Sequence, residues 1–187
     1  MAKLFYRYAA MNSGKSTMLL QIAHNYEAMG KPVRLFTAAI DDRYGQGKIT
    51  SRLNIQRDAD TFDAGHDFLA GDYSDLACLL LDEAQFLTPE QVRQLHRLAH
   101  TRQLPVICFG LRSDFRGEPF PGAAWLLALA EDIEEIKTIC SCGRKATMHI
   151  RTDATGQRLH HGPQVEIGDE SRYQAVCAEC FYAGEAA

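Results

Sequence analysis

An aromatic, β-prone run, Lys3–Tyr8, leads directly into Ala9-Ala10-Met11-Asn12-Ser13-Gly14-Lys15-Ser16, and that segment opens a helical pattern. Met18, Leu19, Ile22, Ala23, Tyr26 and Met29 recur at the spacing that places them on one side of a helix over Ser16–Met29. Gly30 is a stop signal and Pro32 blocks continuation, after which Val33–Ala38 reads as a second strand. Strand, tight turn, helix and strand in that order make one βαβ unit.

The turn carries chemistry. Its pattern is G-x-x-x-x-G-K-[ST] with Ala9 in place of the first glycine. In such a loop, backbone N–H groups point at phosphate oxygens. Gly14 lets the main chain turn tightly beside the ligand, Lys15 reaches the β and γ phosphates, and the Ser16 hydroxyl joins the shell of Mg²⁺. Ala9–Ser16 is therefore expected to hold a nucleoside triphosphate. If position 9 required a positive φ, alanine would be strained there.

Further along, Leu76–Leu81 is an apolar run expected to be a strand buried on both faces. Thr88–Gln91 matches a capping box with Pro89 at the first helical position, and the helix it opens places Val92, Leu95, Leu98 and Ala99 on one face. Pro105–Gly110 reads as a second buried strand, Pro121–Ala130 as an apolar helix and Ile133–Ile139 as a strand. Ile40–Asp75 is polar and weakly periodic, and is expected to contain loops and a short helix. Strands alternate with helices up to residue 138, which specifies an α/β domain with a mostly parallel sheet. Beyond Cys140 the alternation stops. The reading is a nucleotide-binding domain over 1–138 and a small separate module over 139–187.

Leu79-Leu80-Leu81-Asp82-Glu83 is an apolar strand that ends in two carboxylates. An aspartate at such a strand end holds Mg²⁺ in P-loop enzymes. Adjacent strand residues point to opposite sides, so the two acids are free to do different work. Asp82 is assigned to the metal shell and Glu83 to the acceptor side, as general base on an attacking hydroxyl.

The cysteines fall into two groups. Cys140-Ser-Cys142 and Cys177-Ala-Glu-Cys180 flank residues 143–176, and four thiolates in two close pairs suit a structural, tetrahedral Zn²⁺. Such a metal would pin both ends of a long loop, an arrangement suited to a substrate lid. Cys78 and Cys108 lie in apolar strands and are expected to be core. No apolar run is long enough to span a bilayer and the first residues lack a secretory layout, so a cytoplasmic protein with reduced thiols and no membrane contact is expected. The formal net charge is −4, from 20 basic and 24 acidic residues. That balance argues against a nucleic-acid-coating protein, which needs a basic face.

Together these motifs resemble the cytosolic, zinc-containing (type II) thymidine kinase family over nearly the whole chain. The family's phosphate loop, typically G-P-M-F-S-G-K-S, matches Ala9–Ser16. Its D-x-R-Y matches Asp41-Asp42-Arg43-Tyr44, its D-E-x-Q-F matches Asp82-Glu83-Ala84-Gln85-Phe86, and its G-L-x-x-x-F matches Gly110–Phe115. An I-G followed by Y-x-x-V-C matches Ile167-Gly168 and Tyr173–Cys177.

The resemblance implies a RecA-like P-loop domain with a zinc-held lasso over the nucleoside, and transfer of the γ-phosphoryl of ATP to the 5′-hydroxyl of thymidine. It implies Glu83 as the base and Phe115 packed on the thymine. It places Gln164, Val165, Glu166, Ile167, Gly168 and Tyr173 on the lasso side of the pocket. Ala84 and Gln85 border the ATP site beside Asp82 and Glu83. Asp41 stands near the phosphate-transfer path with Ser16 and Asp82 on the magnesium side, and Arg43 stands on the substrate side. It also implies a homotetramer inhibited by its end product, thymidine triphosphate. A different reading of the same motifs is a P-loop ATPase that uses ATP as a switch and a zinc module to bind a partner or DNA. A third is a zinc-stabilised module with an inactive loop. Thymidine-stimulated, DNA-stimulated or absent ADP release separates the three.

Overall fold

Leu79 and Leu81 pack to one side of their strand, Cys78 and Leu80 pack to the other, and all four are fully buried. A strand buried on both faces belongs inside a sheet that is covered on both sides. The computed structural model describes residues 1–43, 45–165 and 172–183, and it has that architecture. In chain order the first elements are β1 (Leu4–Tyr8), α1 (Lys15–Ala28), β2 (Val33–Ala38), β3 (Lys48–Thr50), β4 (Gln56–Asp58) and β5 (Asp60–Phe62). Next come β6 (Cys78–Leu81), α2 (Pro89–Thr101), β7 (Val106–Gly110), α3 (Pro121–Leu129) and β8 (Asp132–Glu135). The last are β9 (Thr138–Ile139), β10 (Lys145–Ala146), β11 (Met148–Thr152), β12 (Arg158–Leu159), β13 (Tyr173–Val176) and α4 (Ala178–Ala183).

Among the described residues, six strands form the main sheet in the order β5-β2-β6-β7-β1-β8, and every pairing in it is parallel. The chain is an α/β protein. Period-two alternation builds two cores. Leu4, Tyr6, Phe36, Leu79, Leu81, Val106 and Cys108 join α2 and α3 on one face. Leu35, Cys78, Leu80, Ile107 and Phe109 join Leu19, Leu20 and Ala23 of α1 on the other. Both Cys78 and Cys108 are core thiols, as expected. The parallel arrangement brings the carboxyl ends of β1, β6 and β7 side by side, where ligands of open α/β sheets bind.

α2 begins as the sequence indicates. The Thr88 hydroxyl accepts the Gln91 N–H at 3.2 Å, and the Gln91 side chain accepts the Thr88 N–H at 2.9 Å, with Pro89 in the first turn. Val92, Leu95, Leu98 and Ala99 are all fully buried.

Four expectations are corrected. In α1, Met29 is 77% exposed, because the helix ends at Ala28, and Leu20 is buried instead. The strand expected over Ile133–Ile139 is two strands. β8 needs β1 as its neighbour, and β1 ends at Tyr8, whose carbonyl accepts the Ile136 N–H at 2.8 Å. The chain then leaves the sheet, and β9 pairs with β10 instead. Ile40–Asp75 holds an antiparallel hairpin, β3–β4, the edge strand β5 and a short 3₁₀ turn over Phe68–Ala70. Residues 143–176 are not a bare loop, since they contain β10 and a three-stranded antiparallel sheet, β12-β11-β13.

Candidate active site and cysteine cluster

The loop between β1 and α1 turns through Asn12 and Gly14, both at positive φ, 64° and 84°. Asparagine tolerates that region better than most side chains, and glycine has no Cβ to clash. Ala9 is not among the positive-φ residues, so alanine there carries no left-handed strain. It is buried, and its N–H donates to the Gly110 carbonyl at 3.3 Å, which ties the loop to the end of β7. Ser13 Oγ and Lys15 Nζ both donate to the Ala10 carbonyl, at 2.8 and 3.2 Å. Lys15 is thus folded back inside the loop, its ammonium close to where phosphates would sit.

Asp82 ends β6 across from this loop. Its Oδ2 accepts the Ser16 hydroxyl at 2.7 Å and its Oδ1 accepts the Glu83 N–H at 3.0 Å. Burial, and then the adjacent Glu83 carboxylate, push the Asp82 carboxyl up to about 7, against the pull of Ser16 and Lys15. A buried carboxylate facing a hydroxyl and an ammonium is a place prepared for positive charge.

Glu83 has a left-handed backbone, φ 53° and ψ 36°. Both acids line the cleft, but they meet different partners. Its Oε1 accepts Arg43 Nη2 at 3.0 Å and its Oε2 accepts Gln85 Nε2 at 2.5 Å. Gln85 in turn accepts the Leu111 N–H at 3.0 Å. Gly110 permits this close crossing, because a Cβ there would come within 2.8 Å of Gln85 Oε1. Arg43 also grips both oxygens of Asp41 at 2.6 Å. Glu83 is therefore held in place on both oxygens.

Phe115 sits at the tip of a turn after β7 that Asp114 staples. The Asp114 carboxylate accepts the N–H groups of Arg116 and Glu118, both at 2.9 Å, and pairs with the Arg116 guanidinium. The Arg151 guanidinium lies 4.0 Å over the Phe115 ring and donates to the Pro163 carbonyl at 3.2 Å. The aromatic turn is thereby joined to the segment at Pro163.

One cleft of about 1190 Å³, measured with its open mouth, runs from the phosphate loop to this turn. Of the residues expected at the site, Met11, Asn12, Ser13, Gly14, Lys15, Ser16, Asp41, Arg43, Asp82, Glu83, Gln85, Phe115, Gln164, Val165 and Tyr173 line it. Ala9, Ala10 and Ala84 are buried behind it. Glu166, Ile167 and Gly168, like Tyr44, lie outside the described residues.

Several cleft residues escaped the sequence reading. The β3–β4 hairpin contributes Ile49, Ser51 and Arg52, and β11 contributes the buried His149. Burial, and then the Lys15 ammonium, push His149 down to about 4, so it is neutral at pH 7. Asn12 joins the loop to the other side of the cleft, donating to the Tyr173 carbonyl at 3.3 Å and pairing with Arg52. A lone histidine in a short strand gives no periodic signal, and an isolated apolar residue in a polar hairpin gives little more.

At the far side of the small sheet, the sulfurs of Cys140, Cys142, Cys177 and Cys180 all lie within 4.8 Å of one another. Cys142 and Cys177 Sγ are 3.6 Å apart. Four sulfurs at about 2.3 Å from a tetrahedral zinc would sit about 3.8 Å apart, so the donor set and its spacing fit zinc. The Cys180 N–H donates to Cys177 Sγ at 3.4 Å. The single residue between Cys140 and Cys142 is accommodated by a tight turn, in which Gly143, at φ 85°, donates to the Cys140 carbonyl at 2.9 Å.

Comparison with known proteins agrees with this assembly. The family model described as thymidine kinase matches residues 2–181. A thymidine kinase of Chromobacterium violaceum is 74% identical over 182 residues, covering 97% of this chain and 99% of that one. One of Albidiferax ferrireducens is 56% identical over 186 residues, covering 97% and 93%. One of Ruegeria pomeroyi is 50% identical over 182 residues, covering 95% and 92%. A phosphate loop, an acid pair and an aromatic turn on one cleft, with a four-cysteine clasp beside it, therefore have a family to which this chain belongs: the thymidine kinases.

Proposed function

We propose that this protein transfers the γ-phosphoryl group of ATP to the 5′-hydroxyl of thymidine, giving thymidine monophosphate and ADP. The observation that carries the reading is the continuity of the cleft. The phosphate loop, Glu83, the aromatic turn at Phe115, Val165 and Tyr173 all line it, so a triphosphate and a nucleoside can share one space beside Glu83. A switch ATPase has no use for a second pocket opening onto its phosphate site, so that alternative is not favoured.

In this reading the loop N–H groups and Lys15 bind the β and γ phosphates. Ser16 and Asp82 would hold Mg²⁺, and their hydrogen bond at 2.7 Å, which sets a hydroxyl and a carboxylate oxygen side by side at the phosphate loop, supports this. Bound there, the metal supplies charge neutralisation along the triphosphate. Asp41 lines the same cleft, with both oxygens on Arg43. Arg43 and Gln85 fix the Glu83 carboxylate, which accepts the 5′-hydroxyl proton as that oxygen attacks phosphorus in line. Positioning and electrostatics supply most of the acceleration. On the nucleoside side, Phe115 offers a ring face for the base, with Gln164, Val165 and Tyr173 across from it. Glu166, Ile167 and Gly168 complete the lasso side in this reading.

We take 1–138 as the catalytic domain and 139–187 as the lasso domain pinned by zinc on Cys140, Cys142, Cys177 and Cys180. Thymidine triphosphate carries both a base and a triphosphate, so it can span the two ends of the cleft, which supports feedback inhibition. A homotetramer would cover the exposed Ile133 and Ile139 near the edge of the main sheet. Unbridged cysteines suit the cytoplasm, and among the described residues no helix is long and apolar enough to cross a membrane.

The test is ADP release with ATP and Mg²⁺, with and without thymidine. Release that depends on thymidine and matches thymidine monophosphate formed supports the reading. Release that ignores thymidine and responds to DNA overturns it.

A further inference from the structure

At the end of the main sheet away from the phosphate loop, two histidines of α2 meet a carboxylate from the α3–β8 junction. His96 and His100 lie one turn apart on α2, so their imidazoles rise from the same helix face. Glu131 lies between α3 and β8. His96 Nε2 is 2.9 Å and His100 Nε2 is 2.5 Å from the same oxygen, Glu131 Oε1. The two rings meet edge to face with centroids 4.7 Å apart. The second carboxylate oxygen, Oε2, accepts the N–H of Leu4 at 2.8 Å. All three side chains remain about one-third exposed, at 34% for each histidine and 30% for Glu131.

The donor atoms lie within 4.8 Å of one another. Metal–ligand bonds of about 2.0–2.1 Å place neighbouring ligand atoms about 2.9–3.4 Å apart. The His96 spacing already meets that range, and the His100 spacing needs to open by only a few tenths of an ångström. Two imidazoles with one carboxylate suit the borderline divalent transition cations, whereas calcium and magnesium prefer all-oxygen shells. The Leu4 N–H orients the carboxylate from behind, as outer-shell donors do at metal sites. Sharing one oxygen between two imidazoles is also a sound hydrogen-bonded arrangement for the same groups without metal.

We propose that His96, His100 and Glu131 form a three-ligand site for a divalent borderline transition cation of the zinc class, separate from the cysteine cluster and from the triphosphate site. A cation there would tie the second half of α2 to the α3–β8 junction and, through the Leu4 amide, to the start of β1.

The experiment starts from full-length protein already carrying one equivalent of zinc, and titrates Zn²⁺ alone by calorimetry in mildly alkaline buffer. A second equivalent is expected, with a rise in melting temperature on the order of 5 °C at a hundredfold excess over its dissociation constant. The double variant His96→Gln/His100→Gln is expected to lose that equivalent and that rise while keeping the first equivalent and full thymidine kinase activity. A wild-type protein that binds only one equivalent overturns the proposal, as does a double variant that still binds two. Co²⁺ as the second equivalent gives a readout independent of the variants. Weak ligand-field bands without added sulfur-to-metal charge transfer support the site, and added charge transfer overturns it.

Discussion

Glu83 occupies a backbone conformation that non-glycine residues visit rarely, at a cost on the order of 1–3 kcal/mol. What it gains is direction, since Asp82 and Glu83 are consecutive yet serve different parts of one cleft. In the proposed mechanism, replacing Glu83 by Gln keeps the shape but removes the proton acceptor. Turnover is expected to fall about 10²–10⁴-fold while ATP affinity stays close to wild type, as steady-state kinetics and nucleotide titration would show. Asp82 makes a separate prediction about stability. Its pKa rises from the usual 3.8 to about 7 on folding. The folded protein therefore holds this proton more tightly than the unfolded chain does. Its contribution is fully present below pH 3.8 and is lost as pH rises through about 7. Asp82→Asn should flatten that slope in nucleotide-free protein, gaining stability relative to wild type at about pH 8 but not at about pH 4, as denaturant unfolding at both pH values would reveal. The acid pair itself was plain in the sequence, because it ends an apolar strand. Arg43 entered only through family resemblance. The hold of the Leu111 N–H on Gln85, and the place of His149 in the cleft, depend on strands that meet only in three dimensions.

Elements with a local code were the most legible. The capping box of α2 is written in four consecutive residues, and both of its hydrogen bonds form. Thr88→Ala should lower stability by about 1 kcal/mol, with Thr88→Ser recovering most of it in the same denaturation assay. β6 and β7 were readable for a similar reason, since burial on both faces leaves an unbroken apolar run. The elements that were missed have no such code. β8 stops where its neighbour stops, which is a property of β1 and not of residues 132–139. The β3–β4 hairpin is polar, and Ile49 is its residue in the buried apolar core among the described residues. In the antiparallel sheet within residues 143–176, β12 has only two residues, and β11 buries its polar His149 and Arg151, the reverse of the usual alternation.

Across the whole molecule, two structural economies meet at one cleft. The main sheet carries the phosphate loop on a large, doubly covered core, whereas the small sheet rests on a modest cluster around Val176 and Phe181 and on four sulfurs. Chelation should therefore act unevenly. Removing metal, or changing Cys177 to Ser, is expected to abolish thymidine binding while ATP binding and the unfolding of the main sheet change little. Metal analysis, calorimetry with each ligand and circular dichroism would check the three parts of that expectation. The strand order of the main sheet has a further effect, on how the protein is made. β1 lies between β7 and β8, with Leu4 opposite Val106 and Phe5 opposite Asp132. A ribosome adding about 5–20 residues per second delivers β1 roughly 5–20 s before the first of those partners. For that interval Leu4, Phe5 and Tyr6 have no sheet to enter, and neighbouring nascent chains compete for them. Slower translation of the first hundred residues lengthens that exposure, whereas a chaperone that covers this opening segment during synthesis removes it.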